Sequence, residues 1–169
     1  IVSVGEIVST KIVSAYLNLT GLSAQWIDVR NVIQTDNTHR DAKVDWELTE
    51  KLAKKEFELN ASSSVKTVFL TQGFIGSSSE NFTTTLGREG SDFSAGILAY
   101  CLNAESVTIW KDVPGMLNAD PKLFSETKML SNISYHEAVE LAYYGATVIH
   151  PKTIKPLQKK NIPLYVKSF

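Results

Sequence analysis

Helix-like and strand-like segments alternate along the 169 residues of this chain, and that alternation limits the fold more than any other feature. Apolar residues at helical spacing predict helices over 7–19, 45–59, 92–102, 134–144 and 151–160. Runs rich in β-branched residues predict strands over 24–29, 65–70, 107–110 and 164–166. The strand segments are continuously apolar, which is typical of a parallel sheet covered on both faces. We therefore expect an α/β fold.

Three longer segments between these elements are interpreted as loops. Residues 31–44 are polar and irregular, residues 71–90 are rich in Gly, Ser and Thr, and residues 111–124 contain two prolines and a glycine. Open α/β sheets bind ligands at the carboxyl ends of their strands. The loops that follow the strands 65–70 and 107–110 are therefore the expected places for a functional site.

Charge and cysteine content exclude several classes of function. The 17 Lys and Arg residues nearly balance the 18 Asp and Glu residues, whereas a nucleic-acid-binding surface needs a basic excess. Cys101 is the single cysteine, so an internal disulfide cannot form. No apolar run approaches the roughly 20 residues that span a bilayer. We expect a compact intracellular protein with neither a nucleic-acid partner nor a membrane partner.

The loop after the strand 65–70 combines glycines with charged groups. Glycines let a backbone approach a ligand closely, and the helix that begins near Asp92 offers free amides to an anion. Arg88 adds a fork of donors suited to a carboxylate or a phosphate. The alternative is that Asp92 only complements the helix dipole while Arg88 is solvated.

The loop after the strand 107–110 has Asp112 just past the strand end and Lys122 within reach of a phosphate. The alternative here is an exposed turn whose acids bond their own backbone. The three histidines are far apart and lack metal-ligand spacing, so no protein metal site is expected, and His150 before a proline is interpreted as structural. The P-loop pattern does not occur in the 169 residues.

Five motifs in this order resemble the aspartokinases, which belong to the amino-acid kinase family. They are Gly-Phe-Ile-Gly at 73–76, Thr-Thr-Thr-Leu-Gly-Arg-Glu-Gly-Ser-Asp-Phe-Ser-Ala at 83–95, Ile-Trp-Lys-Asp-Val-Pro-Gly at 109–115, Ala-Asp-Pro at 119–121 and Tyr-Tyr-Gly-Ala-Thr-Val-Ile-His-Pro-Lys-Thr at 143–153. The resemblance implies a three-layer α/β/α sandwich around a mainly parallel open sheet. It also implies that ATP phosphorylates the β-carboxylate of L-aspartate, the first step toward lysine, threonine and methionine, in a cytoplasmic homo-oligomer.

The resemblance also assigns roles to residues. Glu6 and Asp92 would meet the α-amino group of aspartate, Arg88 would hold its α-carboxylate, and Ser91 would line the same site, with Arg88 and Asp92 organising the reaction. The implied nucleotide site is formed by Lys111, Asp112, Leu117, Asn118, Asp120, Lys122 and Thr147. ATP would arrive with Mg²⁺ held mainly by its phosphates.

Some positions depart from the family pattern. Many relatives have Thr, Tyr, Arg and Lys where this chain has Lys111, Leu117, Lys122 and Thr147, and the neutral Thr147 favours the bifunctional aspartokinase–homoserine dehydrogenases. Nothing here matches the family's opening Lys-Phe-Gly-Gly-Thr-Ser segment or its regulatory ACT domains. We therefore expect residues 1–169 to be the C-terminal portion of a catalytic domain, incomplete at its N-terminus and inactive alone.

Two other readings remain open at this point. One is a different amino-acid kinase, such as glutamate 5-kinase, with another acceptor. The other is a module that binds a nucleotide or a partner without catalysis. Turnover measured with a panel of substrates distinguishes the first alternative from an aspartokinase. Turnover measured after the missing N-terminal segment is restored distinguishes the second.

Overall fold

The computed structural model describes residues 2–60, 67–113, 115–120, 123–143 and 148–169. Two compact units divide the chain, Ile1–Ser94 and Ala95–Phe169, and each is described by itself. Two predicted nucleotide residues, Lys122 and Thr147, lie outside the described residues. None of the helices among those residues is long and apolar enough to cross a membrane.

The first unit holds two predicted helices and a parallel strand pair. Its elements are α1 (Val2–Leu19), β1 (Ala24–Ile27), a short 3-10 helix (Val29–Asn31), β2 (Gln34–Thr35), α2 (Trp46–Asn60), β3 (Val68–Thr71), β4 (Ile75–Ser78), β5 (Thr83–Thr85) and the start of α3 (Gly90–Leu102). β1 pairs with β3 in parallel, from Ala24 opposite Val68 to Ile27 opposite Thr71. Asp45 caps α2 as its sequence predicts, since its Oδ1 accepts the amide of Leu48 at 3.0 Å.

The loop prediction for residues 71–90 is wrong, because this segment contains a hairpin. β4 and β5 pair antiparallel, with Ile75 opposite Thr85, and β2 adds to β4 in parallel. Gly and Ser weaken the sequence signal of a strand. The side chains of Ile75 and Leu86 in this segment are nevertheless completely buried. Burial in the core of the first unit therefore overrides local propensity here.

The second unit places a parallel pair of strands against residues of three helices. It contains most of α3, then β6 (Val107–Lys111), α4 (Tyr135–Tyr143), α5 (Pro151–Lys159) and β7 (Leu164–Ser168). β6 and β7 pair in parallel from Val107 opposite Leu164 to Lys111 opposite Ser168. The helices and the inner face of this pair enclose a core of Ala99, Val107, Ile109, Ala138, Ile149, Ile154, Leu157 and Ile162.

The expectation of a sheet covered on both faces holds for only one face of this pair. Val107 and Ile109 are buried, whereas Trp110 and Tyr165 are exposed. The reason is the alternation of side chains along a strand, which places Trp110 on the face opposite Ile109. The parallel strand pairs and the helices between them nevertheless confirm the α/β fold.

Helix ends in the second unit follow the local sequence. Ser134 and Glu137 form the predicted capping box, with the Ser134 amide donating to Glu137 Oε2 at 2.8 Å and the Glu137 amide donating to Ser134 Oγ at 3.2 Å. His150 caps α5 through Nδ1, which accepts the amide of Lys152 at 3.1 Å. His150 therefore has the structural role that the sequence predicts.

Candidate functional site

The segment that follows β3 packs directly against the first turn of α3. A methyl group on Gly73 would lie 2.9 Å from the Cα of Ser91, so only a residue without a side chain fits there. The Phe74 amide donates to Ser94 Oγ at 2.9 Å, and that hydroxyl donates to the carbonyl of Gly90 at 2.9 Å. The carboxyl end of β3 and the amino end of α3 thus form one rigid corner.

The sequence-predicted residues of the aspartate site lie around this corner. Arg88 is exposed in the turn that leads into α3, Ser91 is exposed in the first turn, and Asp92 is half-buried beside it. One oxygen of the Asp92 carboxylate is out of contact with solvent. The corner therefore presents a guanidinium, a hydroxyl and a carboxylate around the positive end of a helix dipole.

A buried polar network links Glu6 on α1 to the same corner. Gln72 is almost completely buried, and its Oε1 accepts the amide of Val29 at 2.9 Å while its Nε2 donates to Thr10 Oγ1 at 3.0 Å. Thr10 Oγ1 in turn donates to the carbonyl of Glu6 at 2.8 Å. Because residues four apart lie on one side of a helix, the half-buried Glu6 lies one turn beyond the contact with Gln72.

Phe74 and Gln72 also lie at this corner, although the sequence did not indicate either of them. Phe74 has φ of +71°, a conformation that costs a bulky residue energy and that often occurs where geometry serves function. Its backbone is fixed on both sides, since its carbonyl also accepts the Leu86 amide at 2.8 Å. The pair of glycines in Gly-Phe-Ile-Gly is the one sequence signal that points to this strained position.

A second carboxylate group at this sheet edge follows β1. Asp28 forms an ion pair with Arg30, with Nε donating to Oδ1 at 2.9 Å, and this hydrogen bond holds the pKa of Asp28 below its usual value against the opposing effect of burial. Arg30 Nη1 also reaches Thr83 Oγ1 on β5 at 3.3 Å. The pair thus connects the end of β1 to the hairpin.

The predicted nucleotide loop begins where β6 ends. Lys111 is half-buried and Asp112 is exposed in the turn that follows. Asn118 Oδ1 accepts the amide of Lys128 at 2.7 Å, and the Asn118 amide donates to the carbonyl of Lys128 at 3.0 Å. The side chain of Asn118 therefore closes the loop on itself, a structural role that the sequence did not predict.

The rest of this loop is held mainly by its main chain. Leu117 and Met129 form an antiparallel bridge, and the Leu130 amide donates to the carbonyl of Met116 at 2.8 Å. The carbonyl of Asp120 accepts the amides of Leu123 and Phe124, both at 3.0 Å. The side chains of Leu117 and Asp120 are half-buried.

A cavity of about 260 Å³ lies beside this loop in the second unit. Its lining is part polar and part apolar and includes Met116, Met129, Asn132 and Ile133, none of which the sequence analysis selected. Among the described residues, no group of three or more His, Cys, Asp or Glu side chains is arranged to hold a metal ion.

The chain is similar to known proteins over nearly its whole length. The chain is 40% identical over 168 residues to lysine-sensitive aspartokinase 3 of Escherichia coli, covering 99% of this chain and 37% of that protein. It is 41% identical over 165 residues to a chloroplastic bifunctional aspartokinase/homoserine dehydrogenase 2 of Arabidopsis thaliana, covering 97% of this chain and 18% of that protein. The chain thus spans well under half the length of both relatives.

The structural comparison extends over the same region. The crystal structure of E. coli aspartokinase III in complex with aspartate and ADP matches with a TM-score of 0.90 and 41% identity, over 99% of this chain and 37% of that one. A family model described as the amino acid kinase family matches residues 1–168. This chain therefore belongs to the amino acid kinase family.

Proposed function

We propose that residues 1–169 are the C-terminal portion of the catalytic domain of an aspartate kinase, which transfers the γ-phosphoryl group of ATP to the β-carboxylate of L-aspartate. The observation that supports this most strongly is the corner at Gly73 and α3, where Arg88, Ser91 and Asp92 surround a helix N-terminus. The similarity to an aspartokinase crystallised with aspartate and ADP points the same way.

The corner suits an amino acid because that ligand has both a cation and an anion on its Cα. Arg88 is exposed and offers paired donors to the α-carboxylate. Asp92 and Glu6 offer carboxylates to the α-amino group, and Ser91 adds a hydroxyl in the same helical turn. The β-carboxylate of the substrate is then left to accept the phosphoryl group.

The proposed reaction requires no general base from the protein. A carboxylate is ionised at neutral pH, so one of its oxygens forms the new bond to the γ-phosphorus without a general base. The bond between the γ-phosphorus and the bridging oxygen breaks, and ADP leaves with that electron pair. Positioning and charge stabilisation supply the catalysis, which fits a site without a histidine.

The loop 111–120 is the proposed nucleotide site. Lys111 and Asp112 stand where β6 ends, the usual place for a ligand in an open α/β sheet. Asp120 and Leu117 would contact the nucleotide from the closed part of the loop, and Lys122 and Thr147 stay predictions. Mg²⁺, when bound, would neutralise phosphate charge. The phosphates would supply most of its ligands, with the exposed carboxylate of Asp112 nearby.

The product would enter the cytoplasmic synthesis of lysine, threonine and methionine. The test is aspartate-dependent release of ADP in a coupled assay, made on the 169-residue chain and on a catalytic domain completed with a Lys-Phe-Gly-Gly-Thr-Ser segment. We expect turnover only from the completed domain, because transition-state charge is otherwise uncompensated. Equal turnover from the 169-residue chain alone would contradict the proposal that the added segment supplies part of the catalytic site.

Arg88→Lys in the completed domain tests the assignment of the corner. Lysine keeps the charge but loses the paired donors, so kcat/KM for aspartate should fall by about 100-fold while KM for ATP stays constant. Arg40→Lys is the matched control, since Arg40 is exposed in a different loop. Equal effects of the two substitutions would remove Arg88 from the site.

The two alternative functions give different results in the same assays. The corner is proposed to recognise groups that aspartate and glutamate share, so a substrate panel is needed to separate the two acceptors. A glutamate 5-kinase would prefer glutamate over aspartate in that panel. A non-catalytic module would bind ATP but would turn over neither amino acid after completion of the domain.

A further inference from the structure

The helix α1 runs antiparallel to β1 and β3, so its amino end lies at the carboxyl ends of these strands. Near the carboxyl end of the helix, Asn18 Nδ2 donates to the carbonyl of Ala24 at the start of β1, at 2.8 Å. Further toward the amino end, Thr10 Oγ1 accepts Nε2 of Gln72, just after β3, at 3.0 Å. At about 1.5 Å per residue, Glu6 lies about 6 Å beyond Thr10 along the helix, at the sheet edge that carries the corner.

The hydroxyl of Thr10 joins this helix to both strands. Trp26 Nε1 on β1 and Gln72 Nε2 can only donate, so the Thr10 oxygen accepts both, each at 3.0 Å. Its own hydrogen is left for the helix, where the carbonyl of Glu6 lies at 2.8 Å and that of Ile7 at 3.2 Å. Side chains from both strands therefore act on the backbone of the Glu6 turn through one oxygen atom.

Gln72 is itself held on every side. It is 1% exposed, its Oε1 accepts the Val29 amide at 2.9 Å, and its Nε2 also reaches the carbonyl of Ile27 at 3.4 Å. The next residue is Gly73, which packs against Ser91 in the first turn of α3. Because a fully bonded buried amide has little freedom to move, it connects α1, the end of β1 and the corner as one unit.

We propose that Thr10 and Gln72 are positioning residues for the substrate, which set the distance of the Glu6 carboxylate from the corner at α3. This inference rests on the proposed function, which gives Glu6 and Asp92 the α-amino group of aspartate. Thr10 and Gln72 act through Glu6. The α-amino group does not react, so displacement of Glu6 weakens aspartate binding equally in the ground state and in the transition state.

The test compares Thr10→Val with Ser9→Ala in the completed catalytic domain. Both variants lose a hydroxyl that bonds the carbonyl of Glu6, but Ser9 is exposed and bonds it from the solvent side at 3.2 Å. We expect the KM for aspartate to rise about 10-fold in Thr10→Val, while kcat and the KM for ATP stay within about twofold. Ser9→Ala should match the wild type, and so should Thr10→Ser, which keeps the hydroxyl.

A purely structural role of Thr10 would give a different result. Partial unfolding lowers the amount of active enzyme, so kcat would fall while the KM values for aspartate and ATP would stay constant. Titration of each ¹⁵N-labelled domain with L-aspartate gives a second measurement that does not need turnover. The dissociation constant from the amide signals of residues 88–92 should rise about 10-fold in Thr10→Val alone.

The outcomes separate this inference from the function on which it rests. An unchanged KM for aspartate in Thr10→Val, a loss of kcat alone, or an equal rise in Ser9→Ala would overturn the positioning role and leave an active aspartate kinase. A wild-type domain that neither bound nor phosphorylated aspartate would overturn the proposed function, and the positioning role with it.

Discussion

The segments after β3 and after β6 both follow parallel strands, but different forces hold them in place. The first is fixed by buried side chains and by glycine contacts, with Gln72 and Ser94 bonding the backbone and Gly73 in contact with Ser91. The second is held by main-chain pairing of residues 116–118 with residues 128–130. The first should therefore tolerate substitution poorly and the second well.

Glycine-to-alanine changes test this difference most strongly. Gly73→Ala should lower the free energy of unfolding by about 3 kcal/mol, because its methyl group meets the backbone of Ser91 at 2.9 Å. Gly115→Ala should cost about 1–2 kcal/mol, since it has φ of +143° but meets only the flexible side chain of Met129. Urea denaturation measures both.

Gly5→Ala is the control for this pair, since a methyl group there meets nothing within 4 Å. In the helix α1 it should stabilise the chain by up to about 1 kcal/mol. A Gly115→Ala variant less stable than Gly73→Ala would reverse the proposed difference between the two segments.

Gln72→Leu removes the side-chain network of the first segment. The Val29 amide would lose its buried acceptor, so we expect a loss of about 2 kcal/mol in the free energy of unfolding. Gln158→Leu on the exposed side of α5 should change it by less than about 0.5 kcal/mol. If thermal denaturation showed comparable losses of stability for Gln72→Leu and Gln158→Leu, the network would not stabilise the corner.

Ser134→Ala tests the helix that begins after the second segment. Without its hydroxyl, the capping box loses the bond to the Glu137 amide, and the free energy of unfolding should fall by about 1 kcal/mol. Ser134→Thr should keep most of that stability in the same denaturation experiment. A full loss with threonine would argue against capping as the cause.

The smallest expected effect is a pH dependence at the end of β1. The Arg30 hydrogen bond lowers the pKa of folded Asp28, so its contribution to stability is present above the unfolded pKa of about 4 and is lost as pH falls through the folded pKa. Asp28→Asn should therefore flatten the fall in stability of acidified samples. Fluorescence-detected unfolding at several pH values measures this, and an unchanged dependence of the free energy of unfolding on pH would contradict it.

The sequence predicted the parts of this molecule that depend on nearby residues. The capping box at Ser134 and the cap at Asp45 are local hydrogen bonds, so spacing alone reveals them. The order of helices and strands also follows from periodicity. The five-motif resemblance located the corner at Gly73 and α3 within the fold, because such motifs mark positions where backbone geometry is restricted.

The features that the sequence did not predict depend on contacts between distant parts of the chain. The hairpin β4–β5 was missed because burial of Ile75 and Leu86, not propensity, makes it a sheet. The strained φ of Phe74 and the reach of Gln72 to α1 cannot be read from residue types. Periodicity also predicted α1 without revealing that its apolar side turns away from the sheet.

The proposed function requires that the corner at α3 binds aspartate and that the loop after β6 binds the nucleotide. Titration of the ¹⁵N-labelled chain with L-aspartate and, separately, with ATP and Mg²⁺ tests it directly through amide chemical shifts. We predict that aspartate moves the signals of residues 72–74 and 88–92, and that ATP moves those of residues 111–120. Saturable shifts from aspartate in residues 111–120, with none at the corner, would contradict the account.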